Sequence, residues 1–159
     1  MDRTRRFLTI LSLACALAAF GAVEPKAVQT LELQPGWNLV TLEGTPLQPE
    51  RLLALKPLLF DETSRSYIQY STATALARGS AVWIHCVKAQ SVEVPLAVTT
   101  VTTPEPTPGA AEWSQVGAAS ASPPWLSQVT LPFFRWEPQR GFVPANEAVK
   151  GQGYWVKKQ

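Results

Sequence analysis

The sequence predicts a mainly β protein with one short helix. Two pseudo-symmetric repeats of a small β-meander unit are expected to share one core, as a small sandwich or a barrel-like domain. Three observations carry this expectation. Most of the chain repeats itself once, strand-like patterns fill each copy, and a single segment has the boundaries of a helix.

The repeat is visible on sliding the chain against itself. Pro49 and Pro57 recur as Pro124 and Pro132, both 75 positions on. At the same offset the run from Glu62 to Ile68 faces the run from Glu137 to Val143. Both read acid, two variable positions, arginine, a small residue, an aromatic and a β-branched residue. Trp83-Ile84 matches Trp155-Val156 at an offset of 72, and Trp37 to Val40 faces Trp113 to Val116 at 76. Four matches in the same order divide the chain into a first repeat, 23–96, a Thr/Pro-rich spacer, 97–111, and a second repeat, 112–159. Alternating prolines make the spacer extended and semi-rigid. The second copy is too short to bury a sufficient core alone, having no disulfide to staple it. The copies are therefore expected to complete each other's interior about a pseudo-twofold axis.

Each element has a local reason. Leu31-Glu32-Leu33 alternates as a strand does, and Pro35-Gly36 suits the centre of a turn. Trp37 to Leu42 places Trp37 and Leu39 on one face and Val40 and Leu42 on the other, a strand covered on both sides. Pro49 to Lys56 is the helix: proline opens it, Glu50 follows, and Pro57 ends it after about two turns. Its counterpart from Pro124 contains Val129 and Thr130 and reads as an irregular turn. A hairpin follows in each copy, with polar turns at 62–66 and 137–141. A strand then follows a glycine in each copy, around Trp83 and around Trp155. A further strand at 91–94 belongs to the first copy alone.

The first 22 residues read as a secretory signal peptide. Arg3, Arg5 and Arg6 precede sixteen mostly apolar residues, 7–22, which end in small side chains. That run is shorter than the roughly 20 residues a membrane span requires, and no second run of that length follows. The alternative to cleavage is a retained anchor. Cleavage leaves eleven basic and eleven acidic residues, so the field that nucleic acid or anionic lipid would need is missing. An exported, periplasmic, cell-surface or extracellular location follows. Cys15 sits in a segment somewhat like a lipidation site, although Ser12 stands where leucine is expected. Without Cys15, Cys86 has no intramolecular partner.

Gly36-Trp37-Asn38-Leu39-Val40 and Gly151-Gln152-Gly153-Tyr154-Trp155-Val156 resemble the tandem "GWNLV…GYWV" repeats of exported and surface-attached bacterial proteins. The first copy departs from that pattern at Ala81-Val82 and the second at Ser114-Gln115. The resemblance covers most of the chain after the leader. It implies a small β-rich module outside the cytoplasm, and brings no catalytic residues with it.

Residue chemistry offers little for catalysis. His85 and Cys86 are strand neighbours and point to opposite faces, so no thiolate–imidazolium pair forms. One histidine and one remaining cysteine do not make a zinc shell, and no cofactor or metal is expected. Glu62 and Glu137, read as repeat mates, form the one conceivable carboxylate pair for a glycosidase; turn-side pairing with Arg65 and Arg140 is the simpler reading. Aromatic residues are the better lead. Trp37, Trp83 and Trp155, in the repeated strands, are expected in the core. Trp125 and Trp136 stand where the first copy has Glu50 and Asp61, and are candidates for an exposed contact surface with Trp113 and Phe142. The expected function is an exported, non-catalytic binding or structural module of the cell envelope, contacting a protein or a surface glycan. Beside it stand an envelope lipoprotein assembly subunit tethered at Cys15 and, weaker, a carbohydrate-active enzyme.

Overall fold

A computed structural model describes residues 26–74, 76, 78–97, 108 and 112–159 of the protein. The leader with Cys15, and the spacer apart from Ala97 and Pro108, lie outside the described residues. The protein is mainly β, with one short α-helix. In chain order the first part contains β1 (Lys26–Leu33), β2 (Gly36–Thr41), β3 (Thr45–Pro46) and α1 (Pro49–Leu53). It continues with β4 (Leu58–Asp61), β5 (Ser66–Gln69), β6 (Ala81–Cys86) and β7 (Gln90–Ala97). The second part contains β8 (Trp113–Gly117), a 3-10 turn (Pro124–Gln128), β9 (Val129–Glu137), β10 (Gly141–Ala145) and β11 (Gly153–Lys158).

These strands make three antiparallel sheets, ordered β1-β7-β3, β2-β6-β4-β5 and β8-β11-β9-β10. Numbered within its own copy, each four-stranded sheet runs first, fourth, second, third. The two copies therefore have one topology. Their backbone bonds repeat as well: Gly79 N–H donates to Leu42 O at 2.7 Å, and Gly151 N–H to Ala118 O at 2.8 Å. Gly79 and Gly151 share a φ of 86°, in the left-handed region that glycine enters at no steric cost.

Local chemistry explains several elements. At the Pro35-Gly36 turn, Asn38 Nδ2 donates to Gln34 O at 2.8 Å, while Gln34 N–H donates to Asn38 Oδ1 at 2.9 Å. That pair satisfies the turn's backbone and fixes where β2 begins. The helix is shorter than the run of residues suggested, because Lys56 turns left-handed at φ 49° ahead of Pro57. In the second copy β-branched Val129 and Thr130 leave the helical path, and β9 starts there.

The interior has three clusters. Leu33, Leu42, Leu52, Val82, Ile84 and Val94 belong to the first, between the β2-β6-β4-β5 sheet, the β1-β7-β3 sheet and α1. Val116, Trp125, Phe133, Tyr154 and Val156 belong to the second, on the outer face of the β8-β11-β9-β10 sheet. The interior that the copies share is the third: Leu39, Ala81 and Trp83, packed against Leu58 and Trp136. Alternation along β6 divides its side chains between the first and third clusters.

Trp125 does not lie on a surface; it is 0% exposed. The first copy's outer face is covered by β1, β7 and Leu52. Among the described residues the second copy has no such strand pair, and Trp125 covers its sheet instead. Its indole N–H donates to Gly117 O at 2.8 Å, and its ring meets Phe133 at 5.6 Å and Tyr154 at 5.7 Å. Trp37 departs from expectation in the other direction, being 41% exposed, and Trp155 is half-buried against Phe60 at 4.9 Å.

Two glycines let the sheets touch. A Cβ on Gly117 would meet Gly79 O and lie 2.5 Å from Thr41 Cγ2; one on Gly153 would lie 2.6 Å from Leu39 Cγ. Thr41 Oγ1 donates to Gln152 O at 2.6 Å, and Thr41 N–H to Gly151 O at 2.8 Å, across the same contact. Gly117→Ala is expected to cost about 1–3 kcal/mol, since the atoms it strikes include backbone. A urea titration with unchanged midpoint would contradict that close approach. Trp125→Ala is expected to cost about 3–5 kcal/mol in the same assay, the magnitude of a large aromatic lost from a core.

Candidate functional site

Side chains facing the seam grow along each strand. On β2 the series runs Thr41, Leu39, Trp37; on β6 it runs Ala81, Trp83; on β8, Gly117, Gln115, Trp113; on β11, Gly153, Trp155. The sheets are thus in backbone contact at one end of the seam and held apart by indole rings at the other. A cavity of about 220 Å³ opens at the wide end, lined by Trp37, Leu58, Tyr67, Trp83, Trp136 and Phe142.

Trp83 is its floor. Trp37, Tyr67, Trp136 and Phe142 meet it edge-on, with centroids at 6.2, 6.4, 5.0 and 6.1 Å and interplanar angles of 76–89°. Such edge-to-face contacts set the positive ring edge against the negative face and hold each ring's orientation. Two indole donors are already used inside the protein. Trp83 Nε1 donates to Gln115 Oε1 at 3.0 Å, and Trp136 Nε1 donates to Trp37 O at 2.6 Å. Gln115 Nε2 also donates to Ala81 O at 3.0 Å, so one glutamine of the second copy fastens the floor tryptophan of the first. Tyr67 and Phe142, 44% and 45% exposed, form the open rim.

The ladders correct the alignment of the copies. Leu58 pairs with Trp83, and Phe134 with Trp155, so Phe134 is the counterpart of Leu58 at an offset of 76. Trp136 is then the counterpart of Phe60 rather than of Asp61, and Glu137 of Asp61 rather than of Glu62. The hairpin loop between paired residues is four residues long in the first copy, 62–65, and three in the second, 138–140. Comparing the copies without a gap hides that difference. On the corrected alignment the contacts reciprocate as a twofold axis requires: Trp83 meets Trp136 at 5.0 Å, and Trp155 meets Phe60 at 4.9 Å. Each hairpin reaches the other copy's first strand, Trp136 Nε1 to Trp37 O and Arg65 Nη1 to Trp113 O at 3.1 Å. A second aromatic hollow, of about 420 Å³, is lined by Trp113, Phe134, Phe142 and Trp155. Its residues are the counterparts of Trp37, Leu58, Tyr67 and Trp83.

Of the residues singled out from the sequence, Trp136 and Phe142 line the first cavity, Trp113 and Phe142 line the second, and Trp125 reaches neither. Trp37, Leu58, Tyr67 and Trp83 were missed as site residues. Trp37 and Trp83 read as core because they lie in apolar strands, and nothing local marks the seam. The aromatic position shared by Tyr67 and Phe142 was the available signal.

The titratable candidates are held elsewhere. Glu137 bonds Arg135 Nη2 at 2.7 Å and Arg140 Nη1 at 3.0 Å; Arg135, with Arg140 adding to it, lowers the pKa of its carboxyl. Glu62 lies 3.8 Å from Arg65, and Asp61 is held low by the Ser64 hydroxyl and the Thr63 N–H. Cys86 is buried and accepts from Gln90 Nε2 at 3.2 Å, whereas His85 is exposed beside Trp37, ring centroids 5.0 Å apart. Among the described residues no cluster of three or more His, Cys, Asp or Glu side chains could hold a metal ion, and no helix is long and apolar enough to cross a membrane. Comparison with protein-family models, with curated proteins and with solved structures finds no match.

Because the Glu137 carboxyl titrates lower in the folded chain than in the unfolded one, its contribution is complete above the ordinary glutamate value of ~4.3. It is lost as pH falls through the folded value. Wild type is therefore expected to exceed Glu137→Gln in stability near neutral pH, with the gap closing on acidification. Paired urea titrations between pH 7 and pH 3 measure it; a gap independent of pH would contradict the ion pairs.

Proposed function

We propose that this protein is an exported, non-catalytic binding module that takes an apolar side chain of a protein partner into the aromatic cavity at its seam. Export rests on the basic and apolar leader. One observation carries the binding reading: a partly open cavity walled by five aromatic rings, with the indole donors of Trp83 and Trp136 already bonded internally. That chemistry also favours a protein over a glycan. A sugar needs hydrogen-bond partners around the ring on which it stacks, and here two of the indole donors are spent and the rings stand edge-on. An apolar side chain needs only the surface removed from water, worth about 25 cal/mol per Å². Rigid, preorganised rings also lose little side-chain entropy on binding.

The test uses N-acetylphenylalaninamide and a glucose trisaccharide as probes, with the indole N–H resonances of the protein as the reporter. The amide is expected to move the Trp83 and Trp136 resonances saturably, and the trisaccharide to leave them in place. Tyr67→Ser with Phe142→Ser, which removes the rim, is expected to weaken the amide at least tenfold while the urea midpoint moves little. Movement by the sugar alone, or by neither probe at millimolar concentration, overturns the reading.

A further inference from the structure

Trp37 and Leu58 line not only the aromatic cavity but also a neighbouring cleft of about 590 Å³, which continues past them to Lys56, His85, Val87, Lys88 and Gln90. The two hollows are joined at one wall. Their chemistry differs: the first is aromatic, whereas the second brings two lysines and the protein's one histidine to its lining and no aspartate or glutamate.

That imbalance is local. Elsewhere Lys150 pairs with Glu43 at 2.7 Å, Lys157 with Glu112 at 2.7 Å, and Arg135 and Arg140 with Glu137. Lys56 and Lys88 have no carboxylate partner among the described residues. Their positions are set by backbone: Lys56 turns left-handed at the end of α1, and Lys88 lies in the tight connection between β6 and β7. At the same rim Val87 is 92% exposed, an apolar side chain with nothing on it. An unpaired pair of ammonium groups beside an aromatic cavity selects a ligand with both characters at once.

We propose that the partner segment carries a carboxylate next to its anchoring apolar side chain, as a protein's C-terminal residue does. The apolar side chain enters the ring of Trp37, Trp83, Trp136 and Phe142, and the carboxylate lies over Trp37's far side between Lys56 and Lys88. This deepens the binding reading above and rests on it. Two ammonium groups facing one carboxylate give charge complementarity and speed encounter, both screened over about 10 Å at 0.1 M salt.

N-acetylphenylalanine and N-acetylphenylalaninamide differ only in that carboxylate, and titrating both against the full chain separates the two ideas. The acid is expected to bind at least tenfold more tightly than the amide at low salt, and to lose that margin as salt is raised. The double variant Lys56→Gln with Lys88→Gln is expected to abolish the margin and leave the amide's affinity unchanged. Equal binding of acid and amide to the wild type overturns the carboxylate proposal while the apolar reading stands. A margin that survives in the double variant overturns it too. Absence of binding by both probes removes the apolar reading and this proposal together.

Discussion

The structure depends on how closely two β-sheets approach at Gly117 and Gly153. A Cβ at either glycine would enter Thr41, Leu39 or the Gly79 carbonyl, so the sheets touch there through backbone. The hydroxyl and the backbone N–H of Thr41 close the contact with hydrogen bonds to Gln152 O and Gly151 O of the other copy. Because side chains lengthen away from that point, on four strands at once, the seam is a wedge. The cavity is the wide end of the wedge, where indole rings prop the sheets apart. A barrier at the narrow end would therefore alter the site without touching one of its residues.

The same seam explains how two short copies make one stable chain. Each has its own apolar cluster on its outer face, and the copies cover those faces differently: β1 and β7 in the first, Trp125 in the second. What they have in common is the inner face. There Gln115 holds the Trp83 indole, Trp136 holds the Trp37 carbonyl and Arg65 holds the Trp113 carbonyl. The proposed binding surface and the contact between the copies are thus made of the same rings. Trp83 is buried at the floor of the seam, whereas Trp37, Tyr67 and Phe142 stand at its open end and are exposed.

Much of the fold was legible along the chain. Alternation, prolines and glycines marked the strands, the helix start at Pro49, the hairpins and the extra strand at 91–94. The offsets of the repeat anticipated a strand order used twice. The site was legible only in part. Trp113, Trp136 and Phe142 were identifiable as an aromatic excess in the second copy, yet Trp125 shared that signal and lies in the core. Trp37 and Trp83 carried the signature of buried strand residues, and only one of them is buried. A tryptophan's chemistry is the same in a core and at a rim; its surroundings come from the other copy.

Local propensity, turn chemistry and internal repetition determined the elements of this protein, because those are interactions between residues near in sequence. The tertiary structure alone decided which face of each sheet met the other, how the hairpin loops offset the two copies by one residue, and where Trp125 went. The meeting of the two sheets depends on contacts across 32 to 111 positions of chain, such as Trp83 with Gln115 and Thr41 with Gln152, whereas Trp125 is placed within its own copy by Gly117, Phe133 and Tyr154. No periodicity in a single strand records either, since each is a fit between surfaces that exist only once the sheets have folded.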